Sequence, residues 1–385
     1  MKMIKSERIP IYFWLDTIEP DALEQAKNLA NLPFAFRHVA LMPDCHVGYG
    51  MPIGGVLATN NTIIPNAVGV DIGCGMYALR TSLRAKAIKQ AQFKKVLSRI
   101  KEEIPVGPRW RKNSLEKEMP SRLQPMEVVD RFYEEAGYQL GTLGGGNHFI
   151  EFQCDQEGFL WLMIHSGSRN LGKQVADYYN KEAQKILHEK GIRNIPKDLA
   201  HLDVEAPVGK AYIREMNYCI AFADKNRQLM ATSVLKVLQT LFGEFSIQER
   251  VSSIHNYASL EEHYDTEVWV HRKGAIASYP DTLGVIPGSQ GTSSYIVRST
   301  GNRASFHSSA HGAGRKMGRR EAQRKLNLKE EIQRMDEKGI VHSIRTKRDL
   351  DEASSAYKDI EKIIALQSDW TTPVFHLQPL AVLKG

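Results

Sequence analysis

The chain has 385 residues, 42% hydrophobic and 25% charged, with 51 Lys and Arg against 44 Asp and Glu and a formal net charge of +7. This is ordinary globular usage; it excludes a disordered, collagen-like or fibrous chain and sets a prior of one to three domains. Four cysteines without a CxxC pair argue against a disulfide framework and read as reduced thiols of a cytoplasmic protein, and the modest positive excess permits nucleic acid without demanding it.

Along the chain, the uncharged run Ile9–Leu15 is too short for a secretory signal. The charge-free stretch Cys45–Val70 carries five glycines, two prolines, three asparagines and His46, so no membrane segment is expected. Strands are predicted at Phe36–Met42, Ile53–Ala58, Met76–Arg80, Leu160–His165, Glu267–Val270 and Ser294–Val297, where β-branched and aromatic residues end in glycine- or proline-containing turns. Helices are predicted at Arg84–Glu103, Lys173–Lys190, Ala211–Phe242 and Arg319–Lys338. In the third, Tyr212, Met216, Cys219, Ala223, Met230, Val234 and Leu238 keep helical spacing, with Pro207 and Gly243 as start and stop signals. Of 29 glycines, seven fall in 48–75, eight in 137–172 and eight in 274–318. The reading is a single compact α+β domain over residues 1–385, with mixed β-sheets flanked by helices and an active site where the Gly-rich loops converge. The alternative is two domains with a boundary near 190–210.

Six of the thirteen histidines, His46, His148, His165, His255, His307 and His311, sit in loops rich in Gly, Ser or Asn. Taken singly, each reads as a loop histidine hydrogen-bonded to backbone. Together with Asp71 and Cys74 in VGVDIGCGM, they offer ligands of mixed hardness, enough for one complete site or for two ions sharing the thiolate. On ligand chemistry alone, thiolate with imidazole leans towards zinc. GSRNLGKQ at 167–174 approaches a P-loop, but Gln174 stands where magnesium needs a hydroxyl, so only anion binding beside Arg169 is retained. Pro287-Gly288-Ser289-Gln290-Gly291 and His311-Gly312-Ala313-Gly314-Arg315 allow close backbone approach to a nucleotide. No KxDG motif is present, so a covalent nucleotide step would use a histidine, with Asp44 a candidate to orient it.

The segments MPDCHVGYGMPIGG, GVDIGCGM, LGGGNHFIE, HSGSRNLG, HNYAS, HRKGAI, PGSQGTSSY and SSAHGAGR, in that order, resemble the RtcB family of RNA-splicing ligases, as does the final LKG. The resemblance implies an enzyme that joins RNA bearing a 2′,3′-cyclic phosphate or 3′-phosphate to a 5′-hydroxyl end, using GTP and two Mn²⁺ ions. Carried over by motif, Asp71, Cys74 and His148 form one metal site and Cys74, His165 and His255 the other. His311 is the guanylylated residue and Asp44 its orienter. Asn147, Phe149, Glu151, Asn256, Ser289, Ser294 and Lys384 fall at guanine-nucleotide positions, and Arg169, Arg315 and Arg319 bind triphosphate or RNA phosphate. The implied partners are broken tRNA or rRNA ends and an activator such as archease. The resemblance overrules the zinc lean. Gln290, Gly318 and Ala310 depart from the family pattern without removing a ligand or the nucleophile. The competing reading is a metal-dependent phosphoesterase acting on RNA ends, which needs the metal ligands but not His311 or a guanine pocket.

Overall fold

Two sheets built from the β-branched and aromatic runs carry the architecture of the computed structural model, which describes residues 1–385. The first sheet has six strands in the order Lys2–Ile4, Ile11–Phe13, Ala35–Tyr49, Met51–Thr59, Thr266–Lys273 and Asn256–His263. The second has seven: Ile247–Ile254, Gly75–Arg84, Phe159–Ser166, Phe149–Cys154, Thr371–Lys384, Ser294–Ser299 and Leu283–Ile286. All neighbours in them are antiparallel except Ile11–Phe13 against Ala35–Tyr49. The chain crosses from the second sheet into the first at one residue, His255, between Ile247–Ile254 and Asn256–His263.

The long helix Pro207–Phe242 joins the two halves. Its 36 residues span about 54 Å at 1.5 Å per residue. Tyr212, Met216, Cys219 and Phe222 enter the core under the first sheet, with Leu41, Leu57, Val175 and Tyr179. Met230, Val234 and Leu238 enter a separate core under the second sheet, with Ile100, Phe152, Leu162 and Ile164. One helix thus carries two apolar stripes, which explains an unbroken core-forming pattern along its whole length.

All six predicted strands fall inside observed ones. The helix predicted from Arg84 begins at Gln90, because Arg84 ends a strand and Ala85–Ala87 is a 3₁₀ turn. The helix predicted over Arg319–Lys338 is two, Arg319–Lys325 and Leu328–Glu337. Asn327 breaks it: its side chain accepts from the Lys329 backbone N–H and caps the second helix. The proposed boundary near 190–210 is a connection between packed helices that itself packs into the core through Ile195, Leu199, Leu202 and Val204 and pairs with Thr62–Ile63, and the whole is one compact α+β domain. No helix is long and apolar enough to cross a membrane.

Phe222 is fully buried where the long helix leaves the first core. Phe222→Ala should cost about 3–5 kcal/mol, the range for deleting a buried aromatic ring. Urea unfolding checks this, and a loss under about 1 kcal/mol would deny the helix its anchoring role.

Candidate active site

Strand register assembles the first half of the site. Gly75 pairs with Ser166 and with Ile254, and Phe149 pairs with His165. Cys74, His148, His165 and His255 therefore all emerge at one end of the second sheet. The backbone N–H of His255 donates to Cys74 O (2.9 Å), and that of Gly73 to Asn256 O (2.8 Å), locking the two segments together. The side chains converge into two overlapping groups, Asp71–Cys74–His148 and Cys74–His165–His255, with ligand atoms within 4.8 Å of one another in each. Cys74 Sγ lies 3.5 Å from His148 Nε2 and 3.3 Å from His165 Nε2, and the Nε2 atoms of His165 and His255 are 3.3 Å apart.

Hydrogen bonds on the far side of the rings set the chemistry of this cluster. His148 Nδ1–H donates to Leu143 O and His165 Nδ1–H to Asn147 O, both at 3.0 Å, so each Nε2 turns a lone pair inwards. His148 Nε2 faces Asp71 Oδ2 at 3.0 Å, two acceptors that only a proton or a cation reconciles. Burial acts to raise the Asp71 carboxyl, but the His148 hydrogen bond and charge outweigh it and hold the group near 2. Burial drives His165 and His255 well below the usual imidazole range and the Cys74 thiol well above its own. Neutral imidazoles, a carboxylate and a thiol aimed at shared points fit one or two divalent cations.

The second half joins Asp44 of the first sheet to His311, which follows a separate two-stranded sheet. Between Leu41 and His46 the pairing of Ala35–Tyr49 with Met51–Thr59 shifts register, and Asp44 sits in this irregular stretch, fully buried. Its Oδ2 accepts from His311 Nδ1 at 2.6 Å and from the His311 backbone N–H at 3.1 Å. Gly314, at φ +70°, permits the approach, because a Cβ there would lie 2.2 Å from Asp44 O. His311 follows Ser308–Ala310, which pairs with Ala275–Ala277. Behind that strand, Arg272 binds Glu261 through both guanidinium ends (2.5 and 2.9 Å) and also holds Ser308 Oγ and Phe306 O. The rings of His311 and His255 stand 4.8 Å apart, so the two halves meet.

Both halves open into one cavity of about 850 Å³, the size of a nucleotide site. Every sequence-predicted site residue lines it except Asp44, Ser294, Gly312 and Arg169. Asp44 acts on the wall through His311. Ser294 is one layer back, where its Oγ accepts from Gln153 Nε2 (2.9 Å) and Gly288 N–H (3.2 Å). Asn256 faces the cavity with both ends of its amide on backbone, Nδ2 on Asp71 O and Oδ1 on Gly274 N–H. Arg169 lies behind His148, its Nε donating to Thr142 Oγ1. Arg315 and Arg319 reach the cavity but are paired with the buried carboxylate of Glu352, at 3.1 and 2.9 Å. At the closed end, Lys384 lies beside Phe149, its Nζ 5.4 Å from the ring centre.

Wall residues not singled out from sequence include Lys273, Glu352 and Tyr357, and His46, one of the six loop histidines, lines the wall as well. Lys273 Nζ donates to Tyr49 O (2.5 Å) and Asn66 O (3.0 Å), and burial pushes it down to about 8. It stands in HRKGAI, where a lysine among strand residues was the available signal. His46 Nδ1–H donates to Asp44 O (2.9 Å), which stiffens the Asp44 turn. Glu352 and Tyr357 belong to a segment with no local motif, and only the tertiary fold brings them to the wall.

The sequence is also similar to those of known proteins. The sequence profile of the family described as "tRNA-splicing ligase RtcB" matches residues 25–125 and 112–385. The chain is 36% identical to the RNA-splicing ligase RtcB of Escherichia coli strain K12, over 100% of this chain and 99% of the relative. It is 29% identical to the tRNA-splicing ligase RtcB of Pyrobaculum aerophilum (98% and 95%), and 30% identical to the RNA-splicing ligase RtcB of Mycobacterium bovis (94% and 100%).

Glu151 supplies a pH test of the closed end. Burial pushes its carboxyl from 4.5 up to about 8, against the opposing Gln153 hydrogen bond and Lys384 charge. Between those values the folded chain holds a proton that the unfolded chain has lost, so stability falls as pH rises. The slope from this group is at most about 1.4 kcal/mol per pH unit. Glu151→Gln should flatten it between about pH 4.5 and 8 in metal-free protein, read by urea unfolding at several pH values; a wild-type slope would assign the titration elsewhere.

Proposed function

The chain belongs to the RtcB family of RNA-splicing ligases, and we propose that it seals RNA carrying a 3′-phosphate or 2′,3′-cyclic phosphate to a 5′-hydroxyl end through a guanylylated His311. The observation that carries this reading is the Asp44–His311 pair standing against the Asp71–Cys74–His148–His165–His255 cluster across a single nucleotide-sized cavity.

Asp44 takes the His311 Nδ1–H, which leaves the Nε2 lone pair free as a nucleophile. Nε2 attacks the α-phosphorus of GTP, a P–N bond forms and pyrophosphate leaves. An oxygen of the RNA 3′-phosphate then attacks the same phosphorus, the P–N bond breaks and the RNA carries a 3′-guanylate. Last, the 5′-hydroxyl attacks the RNA 3′-phosphorus, loses its proton, and GMP departs. A cyclic phosphate must first take up water and open to the 3′-phosphate. Two Mn²⁺ ions held by Asp71, Cys74, His148, His165 and His255 supply positive charge for the phosphate oxygens. Glu151 and Lys384 close the end of the cavity that takes the base, with Phe149 on one side. Glu151 presents a carboxyl acceptor to the guanine N–H edge, an arrangement that adenine does not match. Broken tRNA or rRNA ends are the RNA substrates of this reading, and an archease-type protein its activator.

His311→Ala should abolish both labelling by α-³²P GTP and strand joining while leaving metal content at the wild-type level. Asp44→Asn keeps the shape but offers no full charge to the ring, and should slow labelling by about 10²–10⁴. Labelling of His311→Ala at the wild-type level would overturn the nucleophile assignment. RNA end hydrolysis without any labelling of the wild-type chain would favour the phosphoesterase.

A further inference from the structure

Asn226 and Arg227 are fully buried polar residues on the long helix, placed where it passes from the first core to the second. Asn226 Oδ1 accepts from the backbone N–H groups of Gly141 (2.7 Å) and Thr142 (3.1 Å). Its Nδ2 donates to Thr142 O, Ser166 Oγ and Gly167 O at 3.1–3.2 Å. Arg227 Nη1 donates to Gly73 O and Ser166 O, both at 2.8 Å. Gly73 precedes Cys74, and Ser166 follows His165. Thr142 precedes Leu143, whose carbonyl takes both His148 Nδ1–H and the Ser166 hydroxyl at 3.0 Å. Two adjacent side chains of one helix therefore hold the backbone beside two cluster residues, Cys74 and His165, and beside Leu143, whose carbonyl orients a third, His148.

The Cys74 turn rests directly on the same helix. Gly73 has φ +71°, and a Cβ there would come within 2.8 Å of Ile220 Cα. Arg227 spends only two of its five N–H groups. Its Nε and Nη2 have no hydrogen-bond partner, and the nearest carboxylate oxygen, on the partly exposed Asp224, is 3.7 Å from Nη2. A buried guanidinium without a close counter-ion is costly unless negative charge stands nearby. Asp224 supplies part of that charge and the Asp71 carboxylate adds to it, as the Cys74 sulfur would on giving up its proton to a cation.

We propose that Asn226 and Arg227 are positioning residues for the candidate metal centre: together they set the spacing of Cys74, His148 and His165, and Arg227 adds a fixed positive charge behind the Cys74 turn. The proposal rests on the metal reading above.

Titration of Mn²⁺ into the full-length chain stripped with chelator, followed by calorimetry, tests it. Thermal midpoints of the metal-free proteins are measured alongside. Arg227→Met keeps the volume and removes the charge and both bonds; affinity should fall about ten- to hundredfold. Arg227→Lys restores the charge and should recover part of that loss, and Asn226→Leu should weaken binding without altering charge. With Co²⁺ as the probe, the thiolate-to-metal absorption should shift in Arg227→Met, which a loss of global stability alone would not produce. Wild-type affinity and Co²⁺ spectrum in folded Arg227→Met overturn the proposal. If that variant does not fold, wild-type affinity in Arg227→Lys together with Asn226→Leu overturns it. Cys74→Ser separates the two levels. Undiminished binding there overturns the metal reading and the proposal with it, whereas loss there with undiminished binding in the helix variants overturns the proposal alone.

Discussion

Two backbone carbonyls, Leu143 O and Asn147 O, decide what the site can be. Each takes the Nδ1–H of a histidine, His148 and His165, and so turns both Nε2 lone pairs towards Cys74. Two inward-pointing carbonyls only four residues apart require a chain that reverses between them. The Gly144-Gly145-Gly146 run supplies that reversal, with φ of +83° at Gly144 and +73° at Gly146. A side chain at Gly144 would also collide with the Arg169 guanidinium, which lies against it. The glycines near 141–146 are thus a requirement of histidine tautomer, and through it of ligand chemistry.

That requirement explains the rest of the interior. Lone pairs, a thiol and a carboxylate gathered out of water are unfavourable until positive charge joins them. The chain brings some of its own in Arg169, Arg227 and Lys273, all close to the cluster or its loops, and the remainder is a task for cations. On the opposite wall the balance is reversed. Glu352 absorbs Arg315 and Arg319, so two guanidiniums that face the cavity are held in place by a buried carboxylate. A phosphate entering there would compete with Glu352 for the same donors, which ties anion binding to the placement of the 347–357 segment.

Much of this was legible in the sequence. Strands with β-branched residues ending at glycines appeared where predicted, because their period and their punctuation agree. The convergence of Asp71, Cys74, His148, His165 and His255, and the Asp44–His311 pair, were legible because each member stands in a short motif with unusual residue types. What was not legible has a common cause. Asn327 ends a helix whose charge pattern runs on, since a cap works through one hydrogen bond that composition does not show. Ser294 was placed at the nucleotide but stands one layer behind, holding Gln153 and Gly288, because sequence distance says nothing of depth. Arg315 and Arg319 read as free cations until Glu352, more than thirty residues on, is folded against them. Asn226 and Arg227 read as ordinary polar positions of an amphipathic helix, since only the loops they hold reveal their use.

The cluster and His311 belong to different sheets, and the link between them is short. His255 stands at the crossing, its N–H on Cys74 O, its carbonyl on Gly274 N–H at 2.7 Å. Gly274 leads into Ala275, which pairs with Ala310, the residue before His311. His255 and His311 are therefore connected by one backbone hydrogen bond and one strand pair, with no flexible side chain in between. Gly274 itself stands at φ +62°, and a Cβ would lie 3.0 Å from His311 Cε1 and 2.2 Å from the Ile53 side chain. Any larger residue at 274 must move either the ring or the strand Met51–Thr59, which pairs with the strand that carries Asp44, so the separation of the two halves of the site is set by backbone rather than by rotamers.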